Sequence, residues 1–186
     1  HGFFWMLLSD SAAPPSWHVE RLPATELPVL VLSQELATFL PEQLGGPSAS
    51  SIARRTRQHL EQEVLPEFLR PRSWFARHSG ALGTTRLGPA SLWRNEHRTF
   101  LLSFVDTEIG GTRQRYFLPL ALAWEDGQDS GALRTAEWTL AKVREHARVG
   151  VLIDAFADPS FCLGIAHCTV ANASVPFAGG ELQFRS

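Results

Sequence analysis

Ile52, Thr56, Leu60, Val64 and Phe68 recur every four residues, and Leu65 and Leu69 widen the stripe. A four-residue step stays on one face of a helix with 3.6 residues per turn, so the pattern predicts a long amphipathic helix over Ser51–Leu69. Its polar face carries Arg54, Arg55, Arg57, Glu61, Glu63 and Glu67; Arg57 and Glu61 form an i,i+4 pair in the weaker orientation. Pro66 lacks an amide hydrogen and predicts a kink near the end of the helix.

Further along, the period changes to two. Phe100, Leu102 and Phe104 face one way along a strand, with Leu101, Ser103 and Val105 opposite. The segment Glu108-Ile-Gly-Gly-Thr-Arg113 supplies a glycine-centred hairpin loop. The next strand, Arg115 to Trp124, aligns Tyr116, Leu118, Leu120, Leu122 and Trp124 on one face, and Pro119 within it predicts an edge position or a bulge. Strands follow at Ala136–His146 and Gly150–Phe156, with a tight turn near Val149-Gly150. Asp158-Pro159 opens a helix to about Cys168, since Asp caps well and Pro suits the first helical position. After Gly179-Gly180, Glu181–Phe184 begins a last strand, within which the chain stops.

Upstream of the long helix the signals are shorter. His1 to Leu8 reads as a buried strand, and residues 9–28, with Pro14, Pro15, Pro23 and Pro28, as an extended linker. Val29–Leu32 reads as a short strand. Ser33 is placed as the cap of a short helix to about Phe39, stopped by Pro41 and Gly45-Gly46, with a hinge at Pro47–Ser50. The expected fold class is α+β: one long helix against an antiparallel meander of about four or five strands.

Composition narrows the function classes. The 186 residues are 44% hydrophobic and include 12 Phe and 6 Trp, enough to fill a core. A formal net charge of -2 argues against an electrostatic nucleic-acid partner, which needs a clustered basic surplus. The apolar start, His1–Leu8, is too short to span a bilayer and lacks the basic flank of a secretory leader. Cys162 and Cys168 match neither a disulfide framework nor a CxxC site, and read as buried free thiols in a reducing cytoplasm. Of the 17 Lys and Arg residues only Lys142 is a lysine, so lysine-dependent chemistry within the chain must use it; its strand position marks it as exposed.

The candidate chemistry is sparse. Walker, Rossmann, GxSxG and HExxH motifs are absent from the sequence. His59 and Glu63 share a helix face, but no third metal ligand can be named, so a solvated polar face is the better reading. Cys162, His167 and Cys168 cluster in sequence, but on a helix His167 and Cys168 point in different directions, and core thiols are the better reading. Asp154 and Asp158 pair as carboxylates, yet a turn and a helix cap explain them. Arg70, Arg72 and Arg77 beside Trp74-Phe75 form the best polar–aromatic group; arginines at a helix C-terminus complement its dipole, and the two aromatics read as core anchors. The residues alone describe an α+β module with no catalytic, cofactor or metal residue assigned. A free-standing binding or scaffolding module is one reading of it.

Three ordered segments carry a resemblance. The run Leu69-Arg-Pro-Arg-Ser-Trp74-Phe75 resembles the maltokinase signature Leu-Pro-Arg-Gln-Arg-Trp-Phe, with His78 where that family has a lysine. Arg115-Tyr-Phe-Leu-Pro-Leu-Ala-Leu122 is similar to its Tyr-x-Leu-Pro-Leu strand, and Gly150-Val-Leu-Ile-Asp-Ala155 to its Gly-x-Leu-x-Asp-Ala segment. The first eight residues resemble the aromatic closing strand of trehalose synthases, which are often fused in front of maltokinases. The resemblance implies a terminal synthase strand at 1–8, a Pro-rich linker with short elements at 9–50, and a cystatin-like maltokinase cap at 51–186. It marks Leu69, Arg72, Trp74, Phe75, Tyr116, Leu118, Pro119 and Asp154 as signature residues of the cap. It further implies a non-catalytic piece of a cytoplasmic enzyme that uses ATP and magnesium to phosphorylate maltose. The nucleotide lysine, catalytic aspartate and magnesium ligands would lie beyond Ser186, and the partners would be the kinase lobes, the synthase domain or a second copy.

Overall fold

The computed structural model describes residues 27–44, 47–72, 74–75, 81–95, 98–125 and 136–186. The expected strand at 1–8, the linker up to residue 26, Arg77 and His78 lie outside the described residues.

The long helix starts four residues before the expected boundary. An α-helix at Pro47–His59 (α1) continues through a π-helical turn at Leu60–Val64 into a last α-helical segment at Leu65–Leu69 (α2). Pro47 thus opens a helix, where its missing amide costs nothing, instead of forming a hinge. Pro66 removes an amide from the helical ladder, and the chain accommodates the gap by widening: the Leu65 amide bonds back to Leu60 O. Thr56, Leu60, Val64, Leu65, Phe68 and Leu69 are buried, while Ile52 is exposed.

The strands are β1 (Val29–Val31), β2 (Leu82–Asn95), β3 (Arg98–Ile109), β4 (Thr112–Phe117), β5 (Leu120–Trp124), β6 (Thr139–Glu145) and β7 (Arg148–Asp154). They form one seven-stranded sheet of order β1-β6-β7-β5-β3-β2, with β4 paired to β3. Helix α3 (Pro159–Val170) and a separate hairpin, β8 (Ser174–Phe177) and β9 (Gly180–Gln183), complete an α+β fold. The sheet therefore exceeds the expected meander. It includes a 14-residue strand, β2, and a parallel pairing of β1 with β6.

Several expected boundaries move for local reasons. Gly110 and Gly111, both at positive φ, make the predicted hairpin turn between β3 and β4. The β6–β7 turn falls at His146-Ala147, with His146 at positive φ, rather than at Val149-Gly150. Arg115–Trp124 is two strands, not one. Leu118-Pro119 marks the break after which the chain, still beside β3 at Leu120, also pairs with β7, and Pro119 is buried there, its carbonyl accepting the Ala155 amide at 2.8 Å. Ser33 caps no helix; Thr38 Oγ1 instead accepts the Ser33 and Gln34 amides, each at 3.0 Å, ahead of 3-10 turns at Ala37–Phe39 and Pro41–Gln43.

The side-chain alternation of β3 divides the interior in two. Leu101, Val105 and Ile109 join the core under the long helix, together with Leu60, Val64 and Leu69. Phe100 and Leu102 join the other, which Phe161 of α3 fills and the hairpin's Val175, Phe177 and Leu182 cover. The expected facing of Tyr116, Leu118, Leu120, Leu122 and Trp124 holds: all belong to the helix side.

The long helix also closes a sheet edge. Leu87, on the edge strand β2, turns its peptide toward α1, where Arg57 Nη2 donates to Leu87 O at 2.7 Å. Glu61 Oε1 accepts the Leu87 amide at 3.0 Å and Arg57 Nε at 3.1 Å. The i,i+4 pair read from sequence thus acts as a surrogate strand, satisfying groups that an open edge would present to another chain.

Candidate functional site

Asp154 ends β7, and its side chain caps the 3-10 turn that follows, Oδ1 accepting the Phe156 amide at 3.0 Å. The carboxyl is buried at 7% exposure, and burial pushes its pKa up, while the Phe156 amide and the nearby Arg72 guanidinium pull the other way. Arg72 reaches this place from the end of the long helix. Its Nε donates to Phe68 O at 3.2 Å and its guanidinium lies 4.0 Å over the Phe68 ring. Burial lowers its pKa against the raising influence of Asp154 and Glu137.

Two adjoining hollows meet here and share Trp74, Trp138 and Asp154 as walls. One, of about 380 Å³, adds Pro71, Arg72 and Glu137 and is the polar end. The other, of about 410 Å³, adds Tyr116, Phe117, Leu118 and Phe156 and is the apolar end. Tyr116 packs tilted against two rings, with centroids 5.4 Å from both Trp74 and Phe75 and interplanar angles of 50° and 54°. Its hydroxyl is bonded to Gln114, and burial raises its pKa.

The signature residues therefore gather from three distant segments. Arg72, Trp74, Tyr116, Leu118 and Asp154 line the cleft, Leu69 and Phe75 are buried in the core, and Pro119 braces the strand corner against Ala155. One expectation is corrected: of the two adjacent aromatics only Phe75 is a core anchor, at 5% exposure, while Trp74 is 43% exposed on the cleft wall. Glu137, Trp138 and Phe156 were not expected at the site. Trp138, 36% exposed, and Glu137 belong to a 3-10 turn (Ala136–Trp138) before β6, where no periodicity announces them.

The remaining candidates resolve into structure. Asp158 caps α3, accepting the Ser160 amide at 2.9 Å, and its other oxygen meets Arg98 Nη1 at 3.0 Å, so its carboxylate is engaged away from Asp154. His59 and Glu63 meet at 3.1 Å, but no group of three or more His, Cys, Asp and Glu side chains among the described residues is placed to hold a metal ion. Cys162 is exposed and Cys168 half-buried, so neither is the buried thiol expected; the sulfur of Cys162 lies 3.5 Å from Phe156 O. Lys142 is exposed on β6, as expected. A larger hollow, about 550 Å³, lies on the β2–β3–β4 surface, where Asp106 and Arg115 close on each other in a two-point pair at 2.6 and 2.9 Å.

No helix among the described residues is long and apolar enough to cross a membrane. No protein-family model, no curated protein and no solved structure matches the chain.

Proposed function

We propose that this chain is the non-catalytic cap of a cytoplasmic ATP-dependent maltose kinase, joined to the tail of a trehalose synthase. The observation that supports the reading is the convergence of the three resembling segments. Arg72 and Trp74, Tyr116 and Leu118, and Asp154 lie far apart in sequence and line one cleft. A signature kept for folding alone has no need to place Trp74 and the polar end of Arg72 on the same accessible surface as Asp154. On this reading the helix stripe and sheet form a cystatin-like cap. ATP and magnesium are used by the parent's other lobes, and those lobes, the synthase domain or a second copy are its partners.

The amphiphilic cleft itself favours a second reading, a free-standing binding module. The two separate on the reading frame and its activity. The protein expressed from its whole frame should convert maltose to an anomeric phosphate with ATP and magnesium, followed by phosphorus NMR, while residues 1–186 alone should not. Turnover by the 186 residues alone, or a frame that encodes no kinase lobe, would overturn the proposal.

A further inference from the structure

The polar end of the cleft holds opposite charges that do not meet. Asp154 Oδ1 takes the Phe156 amide, no described residue donates to Oδ2, and the residue lines both hollows. Arg72 spends its Nε on Phe68 O, and its two terminal nitrogens make no hydrogen bond or ion pair among the described residues. The two groups line the same wall and feel each other's charge, yet form no ion pair.

This arrangement discriminates among ligands. Glu137, the third charged group of the polar end, already has a partner of its own, so a simple cation gains from Asp154 and is opposed by Arg72, and a simple anion meets the reverse. A neutral hydroxylated molecule can bond both, but it brings no countercharge and so lacks the Coulomb attraction that a full charge adds at each end. A zwitterion with adjacent ammonium and carboxylate satisfies both ends at once. Next to that pair lies the apolar hollow of about 410 Å³, walled by Trp74, Trp138, Tyr116 and Phe156. Such a chamber takes a large apolar group attached to the charged head.

We propose that the cleft binds a free α-amino acid with a large apolar or aromatic side chain. The ammonium rests on Asp154, the carboxylate on Arg72, and the side chain lies between Trp74 and Trp138 above Tyr116. The inference goes beyond the kinase reading and draws only on the chemistry of the cleft, so either stands if the other fails. An ammonium beside the buried carboxyl also stabilises its ionised form, which burial disfavours.

The test titrates the full 186-residue chain, labelled with nitrogen-15, with L-phenylalanine and L-leucine while the indole N–H signals of Trp74 and Trp138 are followed. Both signals should move saturably, with dissociation constants of about 1 mM or tighter. Phenethylamine, which lacks the carboxylate, and 3-phenylpropionate, which lacks the ammonium, should each bind at least about tenfold more weakly. Asp154→Asn keeps the cap and removes the charge, Trp138→Ala removes an exposed wall, and each should weaken phenylalanine binding by at least about tenfold. No saturable shift by about 20 mM overturns the proposal. Equal binding of a one-charge analogue overturns it too, as does an unchanged Asp154→Asn or glucose moving the same indole signals as strongly.

Discussion

Gly164 lies in the middle of α3, buried against the end of β2. Gly→Ala within a helix ordinarily stabilises by about 1 kcal/mol, because alanine loses less backbone freedom on folding. Here the added methyl would lie 2.7 Å from Trp93 Cη2 and 2.9 Å from Asn95 Cγ, with the Asn95 amide nitrogen closer still. Asn95 can rotate away, but its Nδ2 donates to Ser160 O at 3.1 Å, and losing that bond costs about 1 kcal/mol. Trp93 cannot, because its ring is held between Phe100 and Phe161 with centroids 5.8 and 5.7 Å away. Overpacking of this kind costs about 1–3 kcal/mol, so the steric term wins over the helical gain. We expect Gly164→Ala to lose about 1–3 kcal/mol in urea unfolding and to melt several degrees lower, at about 2–4 °C per kcal/mol for a domain of this size. Leu163→Ala, one residue along and 60% exposed, is the control and should stay within about 0.5 kcal/mol. A Gly164→Ala protein that melts at or above the parent temperature would refute the reasoning, since α3 would then be free to shift off β2.

Two other perturbations probe different parts of the fold. Glu61→Ala strands the buried-edge amide of Leu87 and takes the carboxylate from Arg57, for an expected loss of about 1–3 kcal/mol in urea unfolding. With Arg57→Ala the losses should sum to less than the two singles, and strict additivity would show that the pair does not act as one clamp. For Asp154 the folded pKa is raised, so between its unfolded value of about 3.9 and its folded value the native state keeps a proton that the unfolded state has lost, and stability falls as pH rises through that window. Asp154→Asn cannot ionise, so its stability relative to the parent should be lowest below about pH 4 and climb above it. A pH-independent difference in melting temperature would contradict the assigned burial effect.

What could be read in advance follows from where the physics is local. The long helix, the Gly110-Gly111 turn and the Asp158-Pro159 cap are set by neighbours within a few residues, and each was legible in the sequence. Strand β2 was not: Gly83, Gly88 and Pro89 interrupt its alternation, and they are tolerated because it is an edge strand whose register slips between Leu82 and Thr85 and between Leu87 and Ala90. The parallel β1–β6 pairing joins residues more than a hundred positions apart, which no local pattern encodes. The cleft fails to announce itself for a related reason. Trp74 and Phe75 are adjacent in a turn, where no period decides which ring faces inward, and hydrophobicity ranks them alike. What separates them is tertiary: Tyr116, arriving on β4, packs tilted against both rings, while Trp138, from the turn before β6, and Asp154, from the end of β7, line the same hollow as Trp74. Phe75 is covered and Trp74 is left with one wall of a site. A buried carboxyl and two part-exposed tryptophans lining adjoining hollows are the features on which the proposed cleft rests.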